Sequence, residues 1–186
     1  TVTNNTDASI TNSTVKDAKN VYLNAANLVR EFNSATGGSV IVNTFDNNAK
    51  SYINSTTTTN TVTNNIKLDS ATDQKYITIA EMGNNAIGYG VTGAVTVQNF
   101  GGETSSIISG SDLLKSNNIY LNAGKASIYK YTNSFAESTT DLTDTLLNAT
   151  FLGAISRQKN DENIALGAVV NYNSIDRTIK ALITDS

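Results

Sequence analysis

The sequence has no cysteine, histidine, proline or tryptophan among its 186 residues. Without cysteine and histidine, the chain has no disulfide, no Ser-His-Asp or Cys-His catalytic arrangement and no zinc site with the usual ligands. Average usage of about 5% would give roughly nine prolines. Their absence indicates a backbone that needs its N–H groups for strand pairing. Some exported chains also avoid cysteine, because an early disulfide would block a narrow translocation channel.

Charge and hydropathy exclude further classes of protein. A net charge of −3 and a pI near 4.8 argue against nucleic-acid binding, which requires a basic surface. No apolar run approaches the ~20 residues of a membrane-spanning helix. The chain starts at Thr1 within a polar pattern, and we expect it to be a segment excised from a longer protein.

Small polar residues dominate what is present, with 26 asparagines, 26 threonines and 18 serines. The apolar residues occur in short alternating runs, which is the period of a β-strand. Asparagine, aspartate and glycine separate these runs and favour turns. The pattern predicts an all-β protein. The runs lie at 40–42, 52–53, 66–68, 76–79, 95–97, 107–108, 119–121 and 128–131.

One stretch departs from the strand pattern. Four apolar residues follow Ser138-Thr139-Thr140, a candidate helix cap, at near-helical spacing. The spacing predicts a short helix near 139–152. The four residues are Leu142, Leu146, Leu147 and Phe151.

Internal repetition is the strongest signal in the sequence. The stretch 38–54 aligns with 93–109 at an offset of 55, and a third copy at 167–184 aligns when one extra residue is allowed. Repeats therefore start near 38, 93 and 167. Such repeats predict one solenoid domain over 1–186, with polar loop insertions.

A second repeated element supports the same architecture. It occurs at 20–25, 65–70 and 118–123, where asparagine begins an alternating apolar run. Each coil of a parallel β-helix buries its inward face by stacking on similar neighbours, and aligned asparagines could form hydrogen-bonded ladders. We therefore expect a parallel β-helix, with an antiparallel sandwich as the alternative. If both ends stop inside the pattern, open coil faces could pair with another copy.

The repeats at 38–54, 93–109 and 167–184 resemble a known family. Their common pattern is Gly-Ala-Val-x-Val-Asn-x-Phe/Ile-Asp-x-x-x-Lys-Ala/Ser-x-Ile with a later Asn-Ile-x-Leu-x-Ala, and it is similar to large exoproteins of the filamentous haemagglutinin type, leukotoxin-like members above all. The resemblance implies a right-handed parallel β-helix and export through an outer-membrane partner transporter. It also implies adhesion or cytotoxicity for the whole protein. The second copy departs from the pattern, with Gly101-Gly102 in place of Asp46-Asn47 and Ser105 in place of Lys50.

A second, shorter resemblance is to the heads of trimeric autotransporters. It is carried by the single hexapeptide Asn85-Ala86-Ile87-Gly88-Tyr89-Gly90. A hexapeptide of this kind arises easily in a sequence rich in glycine, alanine and asparagine.

Several groups of residues are candidate sites. A carbohydrate-active β-helix enzyme or a calcium site would need several carboxylates that converge on one face. The nearest acidic pairs in the sequence are scattered and have no basic residue grouped beside them. We therefore expect these acidic residues to lie in solvated loops. The glycine pairs 37–38 and 101–102 lack a phosphate-binding pattern and predict coil corners. The threonine run 56–63 predicts a flexible loop. The acidic pairs are Asp141 and Asp144, Asp161 and Glu162, and Asp69 and Asp73.

Tyrosines could form a sugar-stacking strip if they point outward. Tyr129 and Tyr131 share one strand face, while Tyr120 and Tyr172 lie on other runs.

The sequence predicts a non-enzymatic segment of a secreted or surface bacterial exoprotein, a rigid rod that binds a host-cell surface protein or glycan. A scaffold segment of a cytotoxin and a carbohydrate-active enzyme are the alternatives. We predict no catalytic residue, no metal and no cofactor.

Overall fold

The computed structural model describes residues 1–36, 40–59, 63–86, 90–113, 116–132, 135–158 and 165–186. The described residues form twelve β-strands and no helix, so the protein is all-β as predicted. The strands are β1 Val2–Thr11, β2 Thr14–Lys16, β3 Asn20–Thr36, β4 Val40–Asn54, β5 Thr57–Thr59, β6 Thr63–Ala86, β7 Gly90–Ser109, β8 Ser116–Ala123, β9 Lys125–Thr132, β10 Phe135–Thr143, β11 Thr145–Gln158 and β12 Ala165–Thr184.

Most strands lie in two parallel sheets. The first sheet has the order β1-β4-β7-β12, with every pair parallel. In the second sheet, β6 pairs in parallel with β3 on one side and with β8 and β11 on the other. A short sheet joins β2 to β5. From β1 to β6 the chain passes twice through the first, the short and the second sheet in that order.

The repeats found in the sequence lie on neighbouring strands. Val40 is opposite Val95, and the offset of 55 holds to the end of β4. The second element stacks in the predicted alignment, with Asn20 opposite Asn65 and Asn65 opposite Asn118. The third copy keeps one offset of 75 throughout β12. The extra residue in its predicted alignment was therefore wrong.

Alternation along the strands divides inward from outward residues. On β4, every second side chain from Phe45 to Ile53 is buried, as the hydrophobic period predicts. Two apolar clusters form the interior, and Phe45 stacks on Phe100 with ring centroids 5.4 Å apart. The first cluster contains Val21, Ile53, Ile66, Leu68, Ile108 and Leu113, and the second contains Val29, Phe45, Tyr76 and Phe100.

A polar seam separates the two apolar clusters. Ser106 Oγ lies 3.1 Å from Ser51 Oγ and 3.0 Å from Ser70 Oγ, and all three residues are buried. Buried hydroxyls are tolerated when they find hydrogen-bond partners. Tyr76 meets the same requirement through the amide of Asn47, at 2.6 Å. Burial raises the pKa of Tyr76 to about 12, although that hydrogen bond opposes the rise.

A turn of one form follows each strand of the first sheet. Its first residue has a positive φ, and the next is a serine or threonine whose hydroxyl donates to the carbonyl two residues back. In the first three turns, the first backbone N–H donates to the carbonyl that ends the neighbouring strand, at 3.0 to 3.1 Å. The turns therefore form a column. They are Asn12-Ser13, Ser55-Thr56, Gly110-Ser111 and Asp185-Ser186.

Strands β9 and β10 form an antiparallel hairpin inserted into the second sheet. β8 pairs with β6 at an offset of 53, and β11 continues along β6 at an offset of 72. β8 and β11 therefore follow one another along the same edge of β6, and the hairpin is an insertion of 19 residues between them. Its base is closed by Gly124 N donating to Ser70 O and by Asp144 N donating to Gly124 O, both at 2.8 Å.

The helix predicted near 139–152 was wrong, because these residues belong to β10 and β11. Leu142 packs on Ala71 under the hairpin, and Leu146 packs against the interior cluster. Leu147 and Phe151 are exposed on β11. The four apolar residues therefore do not belong to one element. They come from two strands, β10 and β11, which meet at Asp144 and have different partners, and their near-helical spacing is a coincidence.

Two loop predictions were also wrong. Gly101 and Gly102 lie within β7 rather than at a coil corner, and Gly102 has a φ of 118°. A Cβ on Gly102 would lie 2.1 Å from the carbonyl oxygen of Asn47, so only glycine fits. In the threonine run, Thr56 is buried at a turn and 57–59 form β5. Residues 37–38 and 60–62 lie outside the described ranges.

Candidate functional surface

A row of three side chains crosses the outer face of the second sheet. Tyr22, Lys67 and Tyr120 are register partners on β3, β6 and β8. Their neighbours in sequence, Val21 and Ile66 among them, point into the interior, so alternation directs the row outward. Tyr22 is 40% exposed and Tyr120 is 50% exposed. The row therefore presents two aromatic rings on the outer face of the second sheet.

Asp69 holds one end of this row in place. Its Oδ2 accepts from the Tyr22 hydroxyl at 2.7 Å and from Lys67 Nζ at 2.6 Å, and its Oδ1 accepts from Asn122 Nδ2 at 2.6 Å. Lys67 Nζ also lies 5.0 Å from the centroid of the Tyr22 ring. Hydrogen bonds with an ionised partner are short and strong, so they fix the orientation of Tyr22.

The hairpin lies across the outer face beside this row. Ala71 packs against Ala126 and Leu142 of the hairpin and is fully buried, although it is on the outer face of β6. The side chain of Asn24 exchanges two hydrogen bonds with the backbone of Ser127, at 2.7 and 3.0 Å. Apolar contact and paired hydrogen bonds therefore dock the hairpin on the sheet.

A polar groove of about 550 Å³ runs between the sheet and the docked hairpin. Lys67, Asp69 and Asn122 line it from the sheet, and Lys125 and Asp141 line it from the hairpin. Ser127 Oγ donates to Asp141 Oδ1 at 2.8 Å. The groove is thus lined by charged and amide groups whose positions are fixed by their neighbours. A smaller hollow on the other side of Lys67 is bounded by Asn20, Tyr22 and Asn65.

An asparagine ladder borders the row on that side. Asn65 donates to Asn20 at 3.0 Å, and Asn118 donates to Asn65 at 3.1 Å. Ladders of this kind were expected from the sequence, although their place at strand starts was not. Each side-chain amide has two donors and a carbonyl oxygen, so a member of the ladder keeps hydrogen-bonding capacity toward solvent.

The acidic residues predicted to lie in solvated loops have other positions. Asp69 and Asp73 are on β6, and Asp144 follows β10 with its side chain 4% exposed, so this prediction was wrong for all three. Each binds a basic residue: Asp69 binds a lysine two residues away on the same strand face, whereas the arginines that bind Asp73 and Asp144 are distant in the sequence. Asp161 and Glu162 lie outside the described residues. In the described part of the chain, no group of three potential metal ligands occurs.

Two of these ion pairs differ in burial. Arg177 on β12 binds Asp144 through two contacts of 2.7 and 3.1 Å, with both side chains largely buried. Arg30 binds Asp73 at 2.6 Å near the surface. Partial burial opposes ionisation of Asp73, but the Thr145 hydroxyl and Arg30 outweigh it and lower the pKa of that carboxyl.

The structure divides the tyrosines predicted to form one strip. Tyr120 belongs to the row on the second sheet, whereas Tyr172 is 57% exposed on β12 of the first sheet. The side chains of Tyr129 and Tyr131 lie outside the described part of the structure. Sequence reasoning missed Tyr22 and Lys67, although the aligned second element placed both at the same alternate position as Tyr120.

Comparison of the chain with family models, curated proteins and solved structures gives no match. Within the described ranges, no helix has the length and hydropathy needed to cross a membrane.

Proposed function

We propose that the three sheets are the faces of a right-handed parallel β-helix. The repeated order of the sheets, the constant register within each pair and the column of identical turns support this architecture. Connections between parallel strands are right-handed in about 98% of cases. In this architecture each repeat is one coil, and the hairpin is an insertion into the third coil.

The protein is an adhesive segment of an exoprotein that bacteria secrete or hold on their surface. Its repeats resemble those of filamentous haemagglutinin-type exoproteins, and that resemblance supports export by an outer-membrane partner transporter. A rod of stacked coils presents long, flat sides. Binding through one of these sides needs no catalytic group.

One observation carries the adhesive function: two exposed tyrosines lie beside a polar groove whose side chains are held in place. Binding surfaces combine apolar or aromatic contact with a few positioned polar groups. Tyr22 and Tyr120 supply the first, and Lys67, Asp69 and Asn122 supply the second.

The test is binding of the labelled protein to host epithelial cells and white blood cells, with membrane leakage followed in the same wells. We expect saturable binding to intact cells. The double variant Tyr22→Ala/Tyr120→Ala should lose most of it, and the control Tyr172→Ala should keep it. Absence of binding to both cell types would contradict the adhesive function, and binding with leakage would favour the cytotoxin.

A carbohydrate-active enzyme is the second candidate, because two carboxylates and two lysines line one groove. Asp69 and Asp141 lie there with Lys67 and Lys125. Hydrogen bonds from Tyr22, Lys67 and Asn122 already occupy Asp69, which favours binding over catalysis. Release of reducing sugar ends from an incubated glycan would favour the enzyme.

A further inference from the structure

We propose that the row and groove bind an extended, neutral, β-linked oligosaccharide whose chain crosses the strands of the second sheet. Tyr22 and Tyr120 stack on two sugars one disaccharide apart, and Lys67 together with the polar side chains of the adjacent groove hydrogen-bonds to sugar hydroxyl and acetamido groups. This inference rests on the proposed adhesive function and names the ligand class of the same surface.

The spacing of the tyrosines supports a ligand that crosses the strands. Tyr22 and Tyr120 are register partners of Lys67 on opposite sides of β6. Their Cα atoms are therefore two strand spacings apart, about 9.6 Å. In an extended β-linked chain, alternate sugars present the same face at close to this distance. The distance between β3 and β8, with β6 between them, is thus close to the length of one disaccharide repeat.

Charge in the groove favours a neutral ligand. Lys67 and Lys125 are balanced by Asp69 and Asp141 in the same lining, so the formal charges cancel. Lys67 is moreover bound to Asp69 at 2.6 Å. A sulfated or sialylated glycan would meet two carboxylates in the same groove as the two lysines. Neutral hydroxyl groups, in contrast, can both donate to the aspartates and accept from the lysines.

The surface is already arranged for binding. The hydroxyl of Tyr22 is anchored on Asp69, the asparagine ladder fixes the amides of Asn20, Asn65 and Asn118, and the hairpin wall is bonded to Asn24. Ordering flexible side chains costs affinity when a ligand binds. Side chains that are held before binding reduce that cost.

Calorimetric titration with glycans of two lengths tests the inference. The probes are a tetrasaccharide of two N-acetyllactosamine units, the single disaccharide, and the tetrasaccharide with a terminal sialic acid. We expect the tetrasaccharide to bind at least about tenfold more tightly than the disaccharide, and about as tightly as its sialylated form.

Single variants identify the residues that give this preference for length. Tyr22→Ala and Tyr120→Ala should each bring the tetrasaccharide down to the affinity of the disaccharide, about tenfold weaker. Tyr172→Ala, which removes a somewhat more exposed tyrosine from another sheet, should leave both affinities unchanged. Far-ultraviolet circular dichroism should show all three variants folded, because each ring is exposed.

Three results would overturn the inference: equal affinity for both lengths, a clear preference for the sialylated probe, or no binding of any probe by protein that binds cells. In the last case, cell binding would survive treatment of the cells with glycosidases, and the adhesive function would stand with a protein receptor. A protein that binds neither probes nor cells would contradict both proposals.

Discussion

At the scale of single residues, the turns show how few side chains define the stack. Each pairs a residue of positive φ with a serine or threonine, and asparagine, aspartate and glycine tolerate that φ well. The pairs at Asn12, Ser55, Gly110 and Asp185 are common combinations in a sequence so rich in small polar residues. They could be recognised only after the strand register was known.

Glu103 gives a residue-scale prediction of pH dependence. It lies on the first sheet between Lys180, at 2.8 Å, and Lys50, at 3.2 Å. Partial burial opposes its ionisation, but the bonds from Lys180, Ser105 and Lys50 outweigh it and lower the pKa from 4.5 to about 2. Because the folded pKa lies below the unfolded one, Glu103 stabilises the fold above about pH 4.5 and loses that effect toward pH 2.

Thermal unfolding of Glu103→Gln and the parent between pH 2 and pH 6 checks this prediction. The parent should be more stable near pH 6, by no more than about 1 kcal/mol for each exposed pair. The difference should shrink as the pH falls toward 2. Glu81→Gln, which changes an exposed glutamate outside this cluster, is the control. A difference that stays constant over this range would contradict the assignment.

At the scale of elements, β10 and β11 show where sequence reasoning fails. The leucine spacing of residues 142–151 suggested a helix, while Thr143, Thr145 and Thr150 favoured strands. Tertiary partners decided the outcome, because Leu142 covers Ala71 and Leu146 enters the interior. The sequence pattern also failed to reveal β1. The residues that alternate along this strand are mostly polar, and its inward side chains are only partly buried.

The junction between the hairpin and β12 provides an element-scale prediction. Arg177→Met leaves Asp144 buried without its cation, which should cost about 3–5 kcal/mol. Arg30→Met breaks a more exposed pair and should cost about 0–1 kcal/mol. Urea unfolding measures both free energies.

The double variant Asp144→Leu/Arg177→Met separates the ion pair from simple packing. It removes both charges together, so it should recover part of the stability that Arg177→Met alone loses. If Arg177→Met and Arg30→Met lowered the free energy of unfolding by the same amount, the buried pair would not stabilise the junction between the hairpin base and β12.

At the scale of the whole molecule, the repeats determined most of what could be predicted. The offsets between repeats in the sequence are the same as the registers between paired strands in the structure. This agreement follows because each strand buries its inward residues against the next copy. The alignment could not reveal the 19-residue insertion, whose position depends on contacts between distant strands. The candidate surface depends on that insertion, since the hairpin supplies one wall of the groove. Its sheet residues were visible in the sequence, but the groove was not.

Stacking of the repeats in register is the central claim, and engineered disulfides test it most directly. The chain has no cysteine of its own, and neighbouring parallel strands lie about 4.8 Å apart, within the Cα range of a disulfide. Mild oxidation followed by a thiol count is the measurement. Asn54→Cys/Ser109→Cys tests the first sheet, and Asn65→Cys/Asn118→Cys tests the second.

We predict that both pairs close within one chain and leave no free thiol. The control Asn65→Cys/Asn117→Cys shifts the second pair by one residue and places the two side chains on opposite faces, so it should stay reduced. Free thiols in both matched pairs, or equally fast closure of the shifted pair, would contradict the stacked register.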